Sequence, residues 1–291
     1  MPRFPRVYSI VATKGGVGKT TTVVNVAGMI ADIGQRALIV DGDPQKSATD
    51  YFEITELAPH GLIQVFKSAS TDGCISKTAI PNLDIILNDD IKGDSGEIPT
   101  FLRKSMTHCM RLRFALEALK DQYDYIIMDS QGDQNVVQES IILASDSLII
   151  PINPEVLATR VVMQETAELV KNKFHPKLGF PAFTGRSAPS VKILINKYIS
   201  QTNSSKELTA LLRQYFNSEF DDLVQVLDTI IPNKEFYRNQ AVAMRTPVHR
   251  LNREAYFTML SLVTEDLEPK LSGLEPQWEG KRIEKSATAA R

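Results

Sequence analysis

Apolar runs of strand length alternate along this chain with longer stretches patterned at helical spacing. The runs are "RVYSIVAT", "RALIVDGD", "LDIILN", "YDYIIMDS", "SLIIPIN", "VKILINK" and "VQVLDTIIP". Val and Ile dominate them without polar alternation, which is the pattern of strands covered on both faces in a parallel sheet. Between them the spacing predicts helices from about Gly18 and near Glu97–Asp121, Val156–Phe174, Ser204–Asn217 and Arg250–Leu267. Strands and helices in alternation predict an α/β, doubly wound, mostly parallel sheet with helices on both faces. No linker divides the body, so residues 1–267 are expected as a single domain. Residues 268–291, rich in Pro, Gly, charge and small side chains, are expected as a flexible C-terminal tail.

Composition narrows the class without naming a function. The 291 residues are 43% hydrophobic and 23% charged, with a formal net charge of -2, so any affinity for nucleic acid has to come from a local basic patch. Cys74 and Cys109 form no C-x-x-C pair, and the N-terminus runs into a strand rather than a signal peptide. No window approaches the ~18 apolar residues of a membrane span. A cytoplasmic protein is expected.

Chemistry concentrates at residues 12–22, "ATKGGVGKTTT". A strand, a glycine loop and a helix in succession form an anion cradle, because backbone N–H groups and the helix N-terminus face the ligand and glycines let it approach. Gly15, Gly16, Val17, Gly18, Lys19, Thr20 and Thr21 are the expected phosphate-binding residues. Lys19 would reach the β- and γ-phosphates of a nucleotide, and the Thr20 hydroxyl would ligate Mg²⁺. Thr13 stands where such loops usually have their first glycine, and Lys14 is a second lysine. Asp129 ends an apolar run and fits the carboxylate that a Mg²⁺ site needs. Asp41 and Asp43, two residues apart in "VDGDPQ", point the same way at the carboxyl edge of the sheet. One could act near the metal-bound water and the other on the water attacking the γ-phosphate.

"KGGVGKTTT", "VDGDPQKSAT", "MRLRFALEALKDQYDYIIMDS" and "LIIPINPEVLA" resemble the deviant Walker A ATPases of the ParA/MinD family, within the P-loop NTPases, and most of all its ParA (Soj-like) partition branch. The resemblance runs from about Val7 to Val263. It implies an ATP hydrolase, slow and partner-stimulated, with ATP and Mg²⁺ as cofactors. Lys14 becomes the signature lysine, crossing to phosphates bound by a second subunit in an ATP-dependent homodimer. Asp43 becomes the residue required for hydrolysis, Asp41 an aid to the metal-water shell, and Asp129 the Walker B acid. Bound ATP carries about four negative charges, of which Mg²⁺ and Lys19 offset about three, so one further cation is in demand. The family usually has D-x-P-P after the Walker B acid, whereas this chain reads "DSQGDQN".

The resemblance also implies that Asn196 bonds the adenine edge and that the segment after Pro232 flanks the ring. A structural role for Asn196 at its strand end is the alternative. The stretch from Lys234 to Arg253 carries Lys234, Arg238, Arg245, Arg250 and Arg253 against the single acid Glu235. Phosphate contacts from such a stretch give salt-sensitive binding indifferent to sequence. By resemblance, Lys234, Arg238, Arg245 and Arg250 bind nonspecific DNA and place the protein on the nucleoid. The alternative is a solvated face with ordinary ion pairs. A ParB-like centromere-binding protein, or another stimulator of hydrolysis, is the implied partner in moving a plasmid, chromosome region or integrative element. An accessory role in conjugative DNA transfer and the positioning of a protein cargo are the competing functions. Membrane binding is not expected, because "GKRIEKSATAAR" has only Ile283 as a bulky apolar residue. An iron–sulfur role lacks a cysteine soon after Asp129.

Overall fold

A computed structural model describes residues 4–12, 15–90, 92–132, 135–220, 223–237 and 243–278. Its nine strands are β1 (Arg6–Ile10), β2 (Ala37–Gly42), β3 (Ile54–Glu56), β4 (Ile75–Thr78), β5 (Leu83–Ile86), β6 (Tyr125–Ser130), β7 (Ser147–Ile152), β8 (Ser190–Tyr198) and β9 (Val224–Pro232). They form one sheet in the order β3-β4-β5-β2-β6-β1-β7-β8-β9. From β5 to β9 every pairing is parallel, and the β3–β4 and β4–β5 pairings are antiparallel. The doubly wound parallel sheet is therefore as expected. The short antiparallel extension β3–β4 was not visible in the hydrophobic pattern.

Burial on both faces accounts for the missing polar alternation. In β6, Ile126 and Met128 enter one apolar layer, while Tyr125 and Ile127 enter the other. The second layer is closed by α1 (Lys19–Asp32), whose Val23, Val26, Ala27 and Ile30 face the sheet. Those positions follow the spacing that puts an apolar stripe on one side of a helix. α2 (Val136–Ala144), α3 (Val156–Glu168), α4 (Asn203–Glu219) and α5 (Arg253–Ser261) complete the longer helices. α2 was not anticipated from the sequence. The helix expected over Glu97–Asp121 is instead three short pieces, Glu97–Leu102, Met106–Cys109 and Arg111–Glu117. Among the described residues no helix is long and apolar enough to cross a membrane.

The stretch expected to begin a flexible tail lies against the body as far as it is described. The Tyr8 hydroxyl donates to buried Glu268 at 2.7 Å, and the Gln277 amide donates to the Asp32 carbonyl at 2.6 Å. Trp278 meets His249 edge to face, with ring centroids 5.7 Å apart. Residues 279–291 lie outside the described residues.

Asp32, at the end of α1, anchors this side of the molecule. It is 4% exposed and accepts hydrogen bonds from His249 Nε2 at 2.7 Å and Arg250 Nε at 2.8 Å, with a second guanidinium bond from Arg250 Nη2. Burial opposes its charge, but the bonds from Arg250 and His249 outweigh that and hold the carboxyl below its ordinary range. Burial drives the His249 imidazole down, despite the opposing pull of Asp32.

Asp32→Ala should destabilise the fold by about 3–5 kcal/mol in urea titration, because it strands the Arg250 cation. His249 is depressed in the native state, so the unfolded chain takes up its proton first. Its contribution is complete above pH ~6.5 and shrinks as pH falls toward the native value. The stability lost by the wild type between pH 7 and pH 5 should therefore exceed the loss in His249→Gln.

Candidate functional site

The loop between β1 and α1 opens where the strand order turns back on itself, with β6 on one side of β1 and β7 on the other. Such a switch point leaves a crevice at the carboxyl ends of the strands. Gly16 and Gly18 have φ of 75° and 95°, values that glycine adopts without strain. Gly18 has a second constraint, because a Cβ there would lie 2.2 Å from Asn196 Nδ2. α1 begins at once, with Thr22 N–H donating to the Gly18 carbonyl at 2.9 Å. The positive end of the helix dipole and its free N–H groups therefore face the loop. Lys19 is 8% exposed, so its charge belongs to the interior of this crevice. Thr13 and Lys14 lie outside the described residues, so the structure carries no statement about the second lysine.

Three of the expected acids and the loop threonine are brought together. The Thr20 hydroxyl donates to Asp129 Oδ2 at 2.6 Å. Asp129 stands beside Asp41 in the β2–β6 register, and both are fully buried. Asp41 Oδ2 accepts from the Thr49 amide at 2.8 Å and its hydroxyl at 2.6 Å, and Oδ1 accepts from the Asp43 amide at 3.1 Å. Asp43 is only partly buried, and its Oδ1 accepts from the Gln45 amide at 2.9 Å, shaping the turn after β2. Burial pushes both inner carboxyls up, and for Asp129 the neighbouring Asp41 charge adds to the effect. The site therefore favours a cation close to these oxygens.

Asp129 Oδ1 is buried without a hydrogen-bond partner among the described residues. That oxygen and the Thr20 hydroxyl suit Mg²⁺, which takes one or two carboxylates and fills the rest of its octahedron with phosphate oxygens and water. An all-protein cage is not built here. No cluster of three or more His, Cys, Asp or Glu side chains suited to a metal occurs among the described residues.

The departure from D-x-P-P has a local geometry. A Cβ on Gly132 would lie 3.2 Å from Lys19 Nζ and 3.4 Å from the Gly15 amide nitrogen, so the glycine lets this turn close over the phosphate loop. Gln131 Oε1 accepts from Asn135 Nδ2 at 2.8 Å, and Asn135 Oδ1 caps α2 by accepting from Val137 and Gln138 amides at 3.0 and 2.9 Å. Gln138 Nε2 then returns to the Ala12 carbonyl at 3.3 Å. A polar chain thus ties the segment after Asp129 to the strand entering the loop.

Two expected assignments meet different partners. Asn196 uses its amide structurally: Nδ2 donates to the Val17 carbonyl at 2.7 Å and Oδ1 accepts from the Lys197 amide at 2.9 Å. The residue is 5% exposed, and these two bonds brace the loop from β8. Arg250, expected on DNA, is committed to Asp32 through the fork described above and lies over the Trp278 ring. Its charge is neutralised at a protein surface that is largely covered. Lys234 and Arg245 are exposed, and Arg238 lies outside the described residues. Pro232 ends β9 beside Tyr198, and its carbonyl accepts from the Lys234 amide at 3.0 Å. The Thr21 carbonyl accepts from Asn25 Nδ2 at 2.7 Å.

Lys197 and Thr49 escaped the sequence reading. Lys197, with φ of 52°, aims its ammonium at the Gly16 carbonyl. Lys197 stands near the end of β8, and its left-handed turn toward the loop has no signal in the apolar run. Thr49 supplies two bonds to Asp41 from the helical turn after "VDGDPQ", and nothing in its type distinguished it from its neighbours.

Residues 5–180 match the family described as an AAA domain. Over 233 residues the chain is 31% identical to the sporulation initiation inhibitor protein Soj of Bacillus subtilis, covering 78% of this chain and 84% of Soj. It is 28% identical to the chromosome partitioning protein ParA of Caulobacter vibrioides, covering 78% of this chain and 80% of that one. The ATP complex of a Cyanothece McdA variant superposes with a TM-score of 0.74 at 19% identity, over 95% of this chain and 100% of McdA. At that identity the superposition speaks for the fold.

Asp129→Asn should raise the thermal midpoint of the metal-free protein at pH 8. The raised native pKa means that the carboxylate's unfavourable contribution grows as pH rises above ~4. The same variant should lose the additional stabilisation that MgATP gives the wild type, read in the same melting experiment.

Proposed function

Because this chain belongs to the ParA/MinD-type ATPases, we propose that it hydrolyses ATP slowly and uses the nucleotide to switch between a monomer and a DNA-bound homodimer. The observation that carries this reading is the Thr20–Asp129 hydrogen bond at 2.6 Å, with a free carboxylate oxygen behind it, at the head of the helix that follows the glycine loop. Thr20 and Asp129 would hold Mg²⁺, which when bound would supply positive charge to neutralise the phosphates. Lys19 and the loop amides from Gly15 to Thr21 orient the triphosphate. Asp43, partly exposed beside buried Asp41, is the group free to position the attacking water. Asp41 is occupied by Thr49 and acts by fixing the turn that presents Asp43. Lys14 is assigned to the phosphates held by the second subunit, where the charge count leaves room for one more cation.

DNA is read here as a polyanion. Lys234, Arg238 and Arg245 would contact phosphates, which confers binding without sequence preference and strong salt dependence. Arg250 is left out of that set because Asp32 holds it. A ParB-like protein is the proposed stimulator of hydrolysis, releasing the dimer from DNA, and the element moved is a plasmid, chromosome region or integrative element. The chromosome partitioning named for the ParA relative supports this cargo over the others.

With ATP and Mg²⁺, but not with ADP, the protein should shift a random duplex at low salt and release it as salt rises. Equal affinity in the two nucleotide states would contradict the switch. Lys14→Ala should still bind ATP yet remain monomeric in light scattering, while Asp43→Ala should accumulate as the ATP dimer.

A further inference from the structure

α1 carries on one stripe three residues that a helix covering a sheet has no need of. Asn25, Gly28 and Asp32 fall at i, i+3 and i+7 and therefore share a face. A buried amide and a buried carboxylate each require partners, and a mid-helix glycine costs about 1 kcal/mol relative to alanine. All three are used by the segment that follows the exposed Met244 and Arg245.

Asn25 is 1% exposed, and its Oδ1 accepts from the Val248 amide at 2.7 Å while its Nδ2 donates to the Thr21 carbonyl at 2.7 Å. Gly28 lets Pro247 lie directly on the helix backbone, because a Cβ there would stand 2.5 Å from Pro247 Cγ and 2.9 Å from its Cβ. Asp32 takes His249 and Arg250. The neighbouring Thr246 carbonyl accepts from the Tyr51 hydroxyl at 2.8 Å, on the helical turn that also supplies Thr49 to Asp41. The chain from Thr246 to Arg250 is thus hydrogen-bonded at Thr246, Val248, His249 and Arg250, and packed at Pro247, to α1 and to the turn that carries Thr49. Thr21, the inner end of this series, is adjacent to Thr20.

We propose that Asn25 and Gly28 are positioning residues that fix the basic segment to the phosphate-loop helix, so that the presentation of Arg245 to DNA depends on how the segment is seated on α1. This rests on the reading that the basic segment binds DNA. Asp32 performs the same service at the far end of the helix, but its removal also threatens the fold. The helix is a rigid rod with the phosphates at its N-terminus and the segment along its flank, which supplies the physical link between the two sites that coupling requires.

The test uses the full-length protein, with a fluorescent ATP analogue for nucleotide affinity and anisotropy of a labelled random duplex for DNA, both with Mg²⁺ at fixed low salt. Asn25→Ala and Gly28→Ala should bind the analogue within about twofold of wild type while ATP-dependent DNA affinity falls about tenfold or more. Gly28→Ala combined with Pro247→Gly, which removes both ring carbons that the added Cβ would meet, should recover most of the DNA affinity. Wild-type DNA affinity in both alanine variants would overturn the inference and leave the proposed function standing. A parallel loss of analogue and DNA affinity, unrelieved in the Gly28→Ala/Pro247→Gly variant, would also overturn it by assigning these residues to general stability. A wild-type protein without ATP-dependent DNA binding would remove the functional reading and this inference together.

Discussion

Two carboxylates held side by side in the interior, away from water, set the terms for the rest of this molecule. Asp41 and Asp129 occupy partner positions on adjacent central strands, and neither is accessible. Like charges so placed repel in a medium that screens them poorly. The fold mitigates the conflict unevenly. Asp41 receives three hydrogen bonds, while Asp129 receives one and keeps an oxygen unpartnered. That imbalance distinguishes the two carboxylates, although sequence spacing presents them alike.

The parallel sheet brings these groups together. Parallel strands place all their carboxyl ends on one edge, so residues from β1, β2, β6 and β8 that are far apart in sequence converge there. The loop after β1 is held from both sides: β8 engages the Val17 and Gly16 carbonyls through Asn196 and Lys197, and the segment after β6 presses Gly132 against Gly15 and Lys19. Carbonyls fixed outward in this way leave the loop's amides free for an anion. Preorganisation of that kind matters in phosphoryl transfer, where catalysis is chiefly a matter of position and charge.

What was legible in the sequence was whatever depends on short-range order. The buried strands announced themselves through unbroken Val and Ile runs, and "GGVGKTTT" through a loop whose chemistry is contiguous. β3 and β4 were silent because they span only Ile54–Glu56 and Ile75–Thr78 at the sheet edge, where a two-sided apolar run is not required. The helix read over Glu97–Asp121 breaks because its apolar residues pack as three short turns against α2 and the sheet, and "RKSM" interrupts the spacing. The pairing of Arg250 was not legible because its partner, Asp32, lies 218 positions earlier, and charge density along the chain says nothing of pairing across it. That Asn196 braces the loop was hidden because Val17, whose carbonyl it bonds, lies far away in sequence.

Trp278 is the only tryptophan in the chain. It rests against the His249 ring and within 6.0 Å of the Arg250 guanidinium, at the outer end of the stripe where the basic segment meets α1. Nature has therefore placed a single intrinsic fluorophore at the joint between the phosphate-loop helix and the segment proposed for DNA. Its emission should follow the polarity of that joint without any label, so a change in how the segment seats on α1 is readable in the unmodified protein.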